Sequence, residues 1–254
     1  MQTIHKNLIL ELKKYFEQTS KSEAVIGLSG GVDSALVAYL AVEALGKENV
    51  TVLFLPEENI TSALSCKLVD EVTIKLDIKK ITLVINPILE SIKNFPWQEN
   101  QQAKMNLRPR ARMLLLYHFA NAHNALVLGT SNKSELLLGY GTKYGDFAAD
   151  IEVIGNLYKS EVWKLACEVG VPKKIIERNP TAELYIDQTD EFELNAKYKV
   201  LDEILKRFED RNFEPDPTDS DLEKQVLARV KANEHKMQMP IVLAVNREQL
   251  AGNK

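Results

Sequence analysis

Residues 29–34, SGGVDS, combine small side chains with one carboxylate in a pattern suited to holding a phosphate. They follow an apolar run, residues 24–28, that reads as a buried strand ending in Gly27 and Leu28, and they precede DSALVAYLAVEAL, which reads as a helix. Ser29, Gly30 and Gly31 form a turn whose missing bulk lets backbone N–H groups approach an anion. Behind it Val32, Asp33 and Ser34 open a helix, whose start offers unpaired donors and partial positive charge. The plainer reading is an ordinary strand-to-helix turn, and the order of strand, loop and helix favours the cradle. Two further charges bear on it. Glu135 follows a second apolar run, residues 125–128, and in a parallel sheet it could face Asp33 across a bound nucleotide. Magnesium takes one or two carboxylates together with phosphate oxygens and water, so the pair makes a plausible clamp; a helix-surface glutamate is the alternative. Lys159 stands at an expected helix start, where a cation is unfavourable unless a phosphate meets it, although a lysine so placed is more often a surface residue.

The elements that must position these groups alternate along the chain. An opening amphipathic helix carries Ile4, Leu8, Leu12 and Phe16, and strands are expected at residues 24–28, 49–55, 80–85, 125–128 and 151–154, with helices between. Such alternation predicts an α/β fold, a doubly wound, mostly parallel five-stranded sheet with helices on both faces and ligands at the carboxyl ends of the strands. Residues 95–107 read as a polar, mobile crossing. Arg108, Arg110 and Arg112 then open an apolar helix, where three cations at a helix start oppose the macrodipole and so answer to an anion or a partner. Residues 172–190 read as a loop ended by Thr189 or Asp190 as a helix cap, and His118 reads as a packed helix residue. No internal repeat or linker divides the chain, so residues 1–254 are expected to form a single domain.

The balance of 32 Lys and Arg against 36 Asp and Glu, with the signs interspersed, leaves no electrostatic footprint for nucleic acid. No apolar run suggests a membrane span and no N-terminal signal pattern is visible, so the cytoplasm is expected. Cys66 and Cys167 form no CxxC pair and read as two buried thiols.

The Walker pattern and the dinucleotide fingerprint G-x-G-x-x-G are both absent; Gly139, Gly141 and Gly145 are spaced differently. SGGVDS instead resembles the pyrophosphate loop of the ATP pyrophosphatases, which form adenylates and belong to the adenine nucleotide alpha hydrolase-like folds. Taken in order, GLSGGVDS (27–34), NLRPRARM (106–113), GTSNKSELLLGYGTKYGD (129–146), IGNLYKSEVW (154–163), NPTAELYIDQTDEFEL (179–194) and EHKMQMP (234–240) resemble the ammonia-dependent NAD synthetase family over nearly the whole chain.

That resemblance implies ATP-dependent amidation of deamido-NAD by ammonia through an adenylated intermediate, giving NAD, AMP and pyrophosphate. It implies ATP on residues 27–34, Thr130, Lys159 and Thr181, and magnesium on Asp33 and Glu135. Deamido-NAD falls to Arg110, Lys143, Asp150, His235 and Lys236, with Asn106 and Tyr117 as lesser contacts. Asp146 is expected to receive ammonium and take its proton. Family members are typically homodimers that share the deamido-NAD site along the helix after NLRPRARM, and no glutaminase domain is expected here. Two departures bear on the substrate side: Phe147 and Ala148 stand where the family often has two glycines, and Asn195 stands for a glycine, a residue that tolerates the left-handed conformation. The alternatives are another ATP pyrophosphatase, GMP-synthetase-like or tRNA-modifying, and a non-catalytic ATP-binding sensor.

Overall fold

Five strands, all parallel, form one sheet in the order β3-β2-β1-β4-β5: β1 (Glu23–Gly27), β2 (Val50–Phe54), β3 (Lys79–Thr82), β4 (Ala125–Gly129) and β5 (Ile151–Glu152). The structure is a computed structural model that describes residues 1–92, 94–185 and 188–243. The central strands are aliphatic because both of their faces are covered. Along β1, Ala24 and Ile26 pack into the layer made by α1 (Gln2–Thr19), α2 (Val32–Leu45), α3 (Ala63–Leu76) and α7 (Lys159–Glu168), whereas Val25 packs under α5 (Gln101–His123). Helix α2 is buried nearly all round, lying between the sheet and helices α1 and α7, which explains its unbroken apolar sequence. A second core joins α6 (Lys133–Leu138), α10 (Tyr198–Asp210) and α11 (Asp221–Asn233) through Leu138, Tyr198, Leu201, Leu205, Phe208 and Val230. Each such buried side chain contributes roughly 1.5–3 kcal/mol.

Chain order reverses between β1 and β4, since the strands run outward to β2 and β3 on one side and to β5 on the other. A crevice opens there, beyond the strand ends. The registers Ala24↔Leu126 and Ile26↔Leu128 bring the loops after β1 and β4 to the same edge. The five-stranded parallel sheet expected from sequence is therefore present.

Several boundaries differ. Residues 101–107 are helical instead of a mobile crossing: the Asn100 side chain accepts from Ala103 N at 2.8 Å, and α5 runs on through Pro109. The three arginines therefore lie inside a helix, and the macrodipole argument for them does not apply. The early turns of α5 are largely exposed, so no apolar stripe marked them as helix. Strand β3 ends at Thr82, and the short helix α4 (Asn86–Ser91) follows, with Pro87 in its first turn. Residues 172–190 include α8 (Lys173–Ile176), and Thr189 caps α9 (Asp190–Glu193). His118 is exposed, Cys167 is exposed and Cys66 only partly buried, against the expectation of buried residues at all three places. Asn195 does adopt the left-handed conformation, at φ 55°.

Candidate active site

The phosphate loop forms because α2 begins directly after β1 with Gly31 as its N-cap, which provides no side-chain hydrogen bond and leaves the first-turn amides to a ligand. The loop holds its own shape: Ser29 N donates to Ser34 Oγ at 3.2 Å, Gly31 N donates to Ser29 Oγ at 3.2 Å, and Ser34 Oγ donates to Gly31 O at 3.2 Å. Those two amides are thus used internally. Gly30 has φ 84°, and a Cβ there would come within 3.0 Å of the Ser65 carbonyl oxygen, so the turn needs glycine.

Across the crevice, β4 runs into Asn132, whose side chain caps α6 in a reciprocal box with Glu135. Asn132 also donates its Nδ2 to Asp33 Oδ1 at 2.9 Å, tying the two loops together. Lys159, the first residue of α7 and only 2 % exposed, reaches Asp33 Oδ2 at 2.5 Å and Glu135 Oε1 at 3.1 Å, and its ammonium lies 5.1 Å from the centre of the Tyr198 ring. Asp202, buried on α10, accepts from Ser134 Oγ at 2.5 Å and from Ser160 N at 2.8 Å, and Ser134 Oγ accepts from Lys159 N. One buried carboxylate thereby sets α6 and α7, and with them Glu135 and Lys159, in register.

Burial works against the charge on Lys159, but Asp33 and Glu135 outweigh it and raise its pKa above the ordinary lysine value. Burial raises the carboxyl pKa of Glu135, with Lys159 opposing, and that of Asp190, again with Lys159 opposing. Asp33 and Glu135 thus both turn carboxyl oxygens toward the one ammonium. The donor set suits a divalent cation that completes its shell with phosphate oxygens and water. Among the described residues no group of three or more His, Cys, Asp or Glu side chains stands together as a metal site.

These groups line a cavity of about 420 Å³. Of the residues expected from sequence, it brings together Gly27, Leu28, Ser29, Gly31, Val32, Asp33, Ser34, Thr130, Glu135, Lys159 and Thr181 with Asp146, Asn106 and Lys236. Gly30 contributes its carbonyl, which accepts from Arg178 Nη1 at 3.3 Å; Arg178 also pairs with Glu183, which accepts from Ser65 Oγ. Residues 180–184 are strapped over the loop in this way, while Ile186 and Asp187 of the same motif lie outside the described residues. Asp146 Oδ1 accepts from Thr142 N at 2.9 Å. Its surface opens into the cavity, yet the surrounding protein still raises its pKa by desolvation. Lys236 Nζ donates to the carbonyls of Gly139 and Gly141, and Thr142 Oγ1 donates to Asn106 Oδ1.

The remaining expected substrate residues lie elsewhere. Arg110 and Tyr117 line a second, shallower groove on the outer side of α5 with Met113, Leu114, His118, Asn121, Tyr144 and Ala148. Arg110 donates to the Lys143 carbonyl at 3.3 Å, and Lys143 Nζ to the His235 carbonyl, so these residues join the two regions; the exposed His235 contributes backbone to that link. Asp150 is pinned to the sheet, accepting from Val127 N at 2.8 Å and from Tyr117 OH at 3.4 Å. Phe147 packs against Gly141, where a Cβ would come within 2.2 Å of its ring. Sequence reasoning gave no site role to Asn132, Arg178, Glu183 and Asp202, and named Arg112 only as one of three arginines answering to an anion or a partner. Only Arg112 had a visible signal, its place among three arginines.

The profile of the NAD synthase family matches residues 4–240. A Methanocaldococcus jannaschii protein described as NH(3)-dependent NAD(+) synthetase is 43 % identical over 253 residues, covering 94 % of this chain and 96 % of that one. A solved NMN synthetase from Francisella tularensis superposes with a TM-score of 0.85 at 32 % identity, covering 96 % of this chain and 98 % of that chain. An NH3-dependent NAD synthetase from Campylobacter jejuni, solved with nitrate, gives 0.79 at 33 % identity over the same shares.

Proposed function

Because the chain belongs to the NAD synthase family, we infer that it is an ammonia-dependent ligase that converts deamido-NAD to NAD, consuming ATP and releasing AMP and pyrophosphate. The observation that carries this reading is the convergence of Asp33 and Glu135 on Lys159 beside the phosphate loop, at the sheet's reversal point.

A carboxylate is a poor acyl donor, and transfer to the α-phosphorus of ATP supplies the leaving group that ammonia then displaces. The amides of the first turn of α2 and the Lys159 ammonium meet the charge that builds on departing pyrophosphate. Magnesium held by Asp33 and Glu135 would neutralise the phosphate tail further. Asp146, facing the same cavity and raised in pKa, is placed to receive ammonium and take its proton, leaving the free amine to attack. Asp146→Asn should therefore lower turnover at limiting ammonium about 100-fold, and less at saturating ammonium at high pH, where free ammonia is abundant; initial rates against ammonium concentration at two pH values check this.

The outer groove supports a substrate longer than the inner cavity holds, with Arg110 and Tyr117 meeting its distal half. A homodimer across α5 belongs to the same reading. Leu114, 62 % exposed, and Tyr144, 58 % exposed, flank the groove as an uncovered apolar rim. The solved NMN synthetase gives the competing mononucleotide substrate its weight. Incubation with magnesium-ATP, ammonium and either deamido-NAD or nicotinic acid mononucleotide separates the two: AMP and amide product with the dinucleotide supports this reading, and product with the mononucleotide alone overturns it.

A further inference from the structure

Two arginines two residues apart on α5 face different regions, because two helical steps turn a side chain by about 200°. Arg110 belongs to the outer groove, while Arg112 lines the inner cavity together with Leu55, Met113 and Leu116. Arg112 is anchored at one end, its Nε donating to the Leu55 carbonyl at 2.9 Å. The acid that acts most strongly on its charge, Glu57, is already taken: Arg108 binds both of its oxygens, at 2.6 and 2.9 Å. Among the described residues the two terminal nitrogens of Arg112 make no hydrogen bond or ion pair, and neither is sealed off from the cavity.

A guanidinium recessed in a cavity without an anion of its own is an unfavourable arrangement until a ligand supplies one. The planar fork of its free nitrogens matches the spacing of two phosphoryl oxygens. Burial lowers its pKa from the ordinary arginine value, with Glu57 opposing, and at so high a starting value the group stays charged. Building on the reaction inferred above, we propose that Arg112 contacts the substrate directly, its free fork gripping the α-phosphoryl group through both adenylation and amide formation.

The loop amides, Lys159 and the Asp33–Glu135 pair claim the departing end of the triphosphate, and Asp146 claims the ammonium. The α-phosphoryl group must lie between them, and Arg112 faces that middle ground: Glu183 of the strap and Asp146 both act on its charge. In the first step a carboxylate oxygen bonds to the α-phosphorus and the bond to pyrophosphate breaks, the electron pair leaving with pyrophosphate. In the second step ammonia nitrogen bonds to the acyl carbon and the carbon–oxygen bond to AMP breaks, that pair leaving with AMP while the surplus proton passes to water, Asp146 already holding the one taken from ammonium. Arg112 forms and breaks no covalent bond; it stabilises the phosphoryl group that persists from ATP through the adenylate to AMP.

The test compares wild type, Arg112→Lys and Arg112→Ala in two assays: deamido-NAD-dependent exchange of labelled pyrophosphate into ATP without ammonium, and complete turnover. The lysine variant keeps a charge and a long stem, and its melting temperature is followed to exclude loss of fold. Both rates should fall about 100-fold in either variant, with KM for deamido-NAD within about threefold of wild type. Millimolar guanidinium should restore part of the rate of Arg112→Ala, which a packing role would not allow. Wild-type exchange with both variants within threefold of it overturns the proposal alone, as does a raised KM for ATP at unchanged kcat. Wild type lacking substrate-dependent exchange overturns the reaction itself and the proposal with it.

Discussion

The two sides of helix α5 border regions built on opposite principles. Toward the sheet, α5 meets a cavity whose charged groups are fixed by several elements at once: Asp33 from α2, Glu135 from α6, Lys159 from α7, and Asp202 from α10 holding two of these helices together. On its other side the same helix meets a shallow groove of mixed apolar and polar side chains, where Arg110, among the described residues, hydrogen-bonds one carbonyl through two nitrogens, each at 3.3 Å. Charge that must be stabilised while bonds break needs donors already aimed, since reorganising them during the reaction raises the barrier. Recognition of a distal substrate part needs shape and area, and it tolerates looser groups. On the function proposed above, chemistry belongs to the inner region and selection to the outer one.

Substitutions should separate the two sides, beginning with the largest effect. Lys159→Met leaves Asp33 and Glu135 facing each other without their shared cation; turnover measured as AMP release should fall by about 1000-fold, with lower thermal stability of the free protein. On the outer side, Arg110→Ala should raise KM for the dinucleotide about tenfold while kcat at saturation stays near wild type, and KM for ATP should not move. A loss of kcat in that variant would break the division of labour. The smallest effect is one of stability. Glu152, on β5 behind Gly129, accepts from Ser131 N through one oxygen while the other, among the described residues, is buried without a hydrogen-bond partner, and burial pushes its pKa up to about 7. A folded-state pKa above the unfolded value means that stability is lost as pH rises from about 4.5 through about 7. Glu152→Gln should therefore gain on wild type by on the order of 2 kcal/mol between pH 5 and pH 8, read by denaturant unfolding at both values.

Much of the inner region was legible along the chain. The pattern SGGVDS, an apolar run before it and a helix after it predicted the loop, and Asp33 and Glu135 were expected to face each other because strands ending in Leu28 and Leu128 were expected in one parallel sheet. Lys159 was legible as a cation at a helix start, but its partners were not: at that position the lysine answers to two carboxylates in the free protein. The outer region was less legible. Arg110, Lys143, Asp150 and His235 came from resemblance, and none of them lines the cavity that holds Asp146 and Lys236. The start of α5 was missed because its exposed turns show no apolar stripe, and its capping residue, Asn100, lies in a run of polar residues that also suits a loop.

Alternation of strand and helix, the glycines of the turn and the order of the motifs were settled by the amino-acid sequence, since each depends on local conformational preference or on short-range periodicity. Tertiary structure alone decided that Lys159 sits between Asp33 and Glu135, that Asp202 locks two helices, and that Arg112 turns inward while Arg110 turns outward. Those facts depend on contacts between residues 24 to 126 positions apart, which exist only once the sheet has brought the loop after β1 beside the loop after β4.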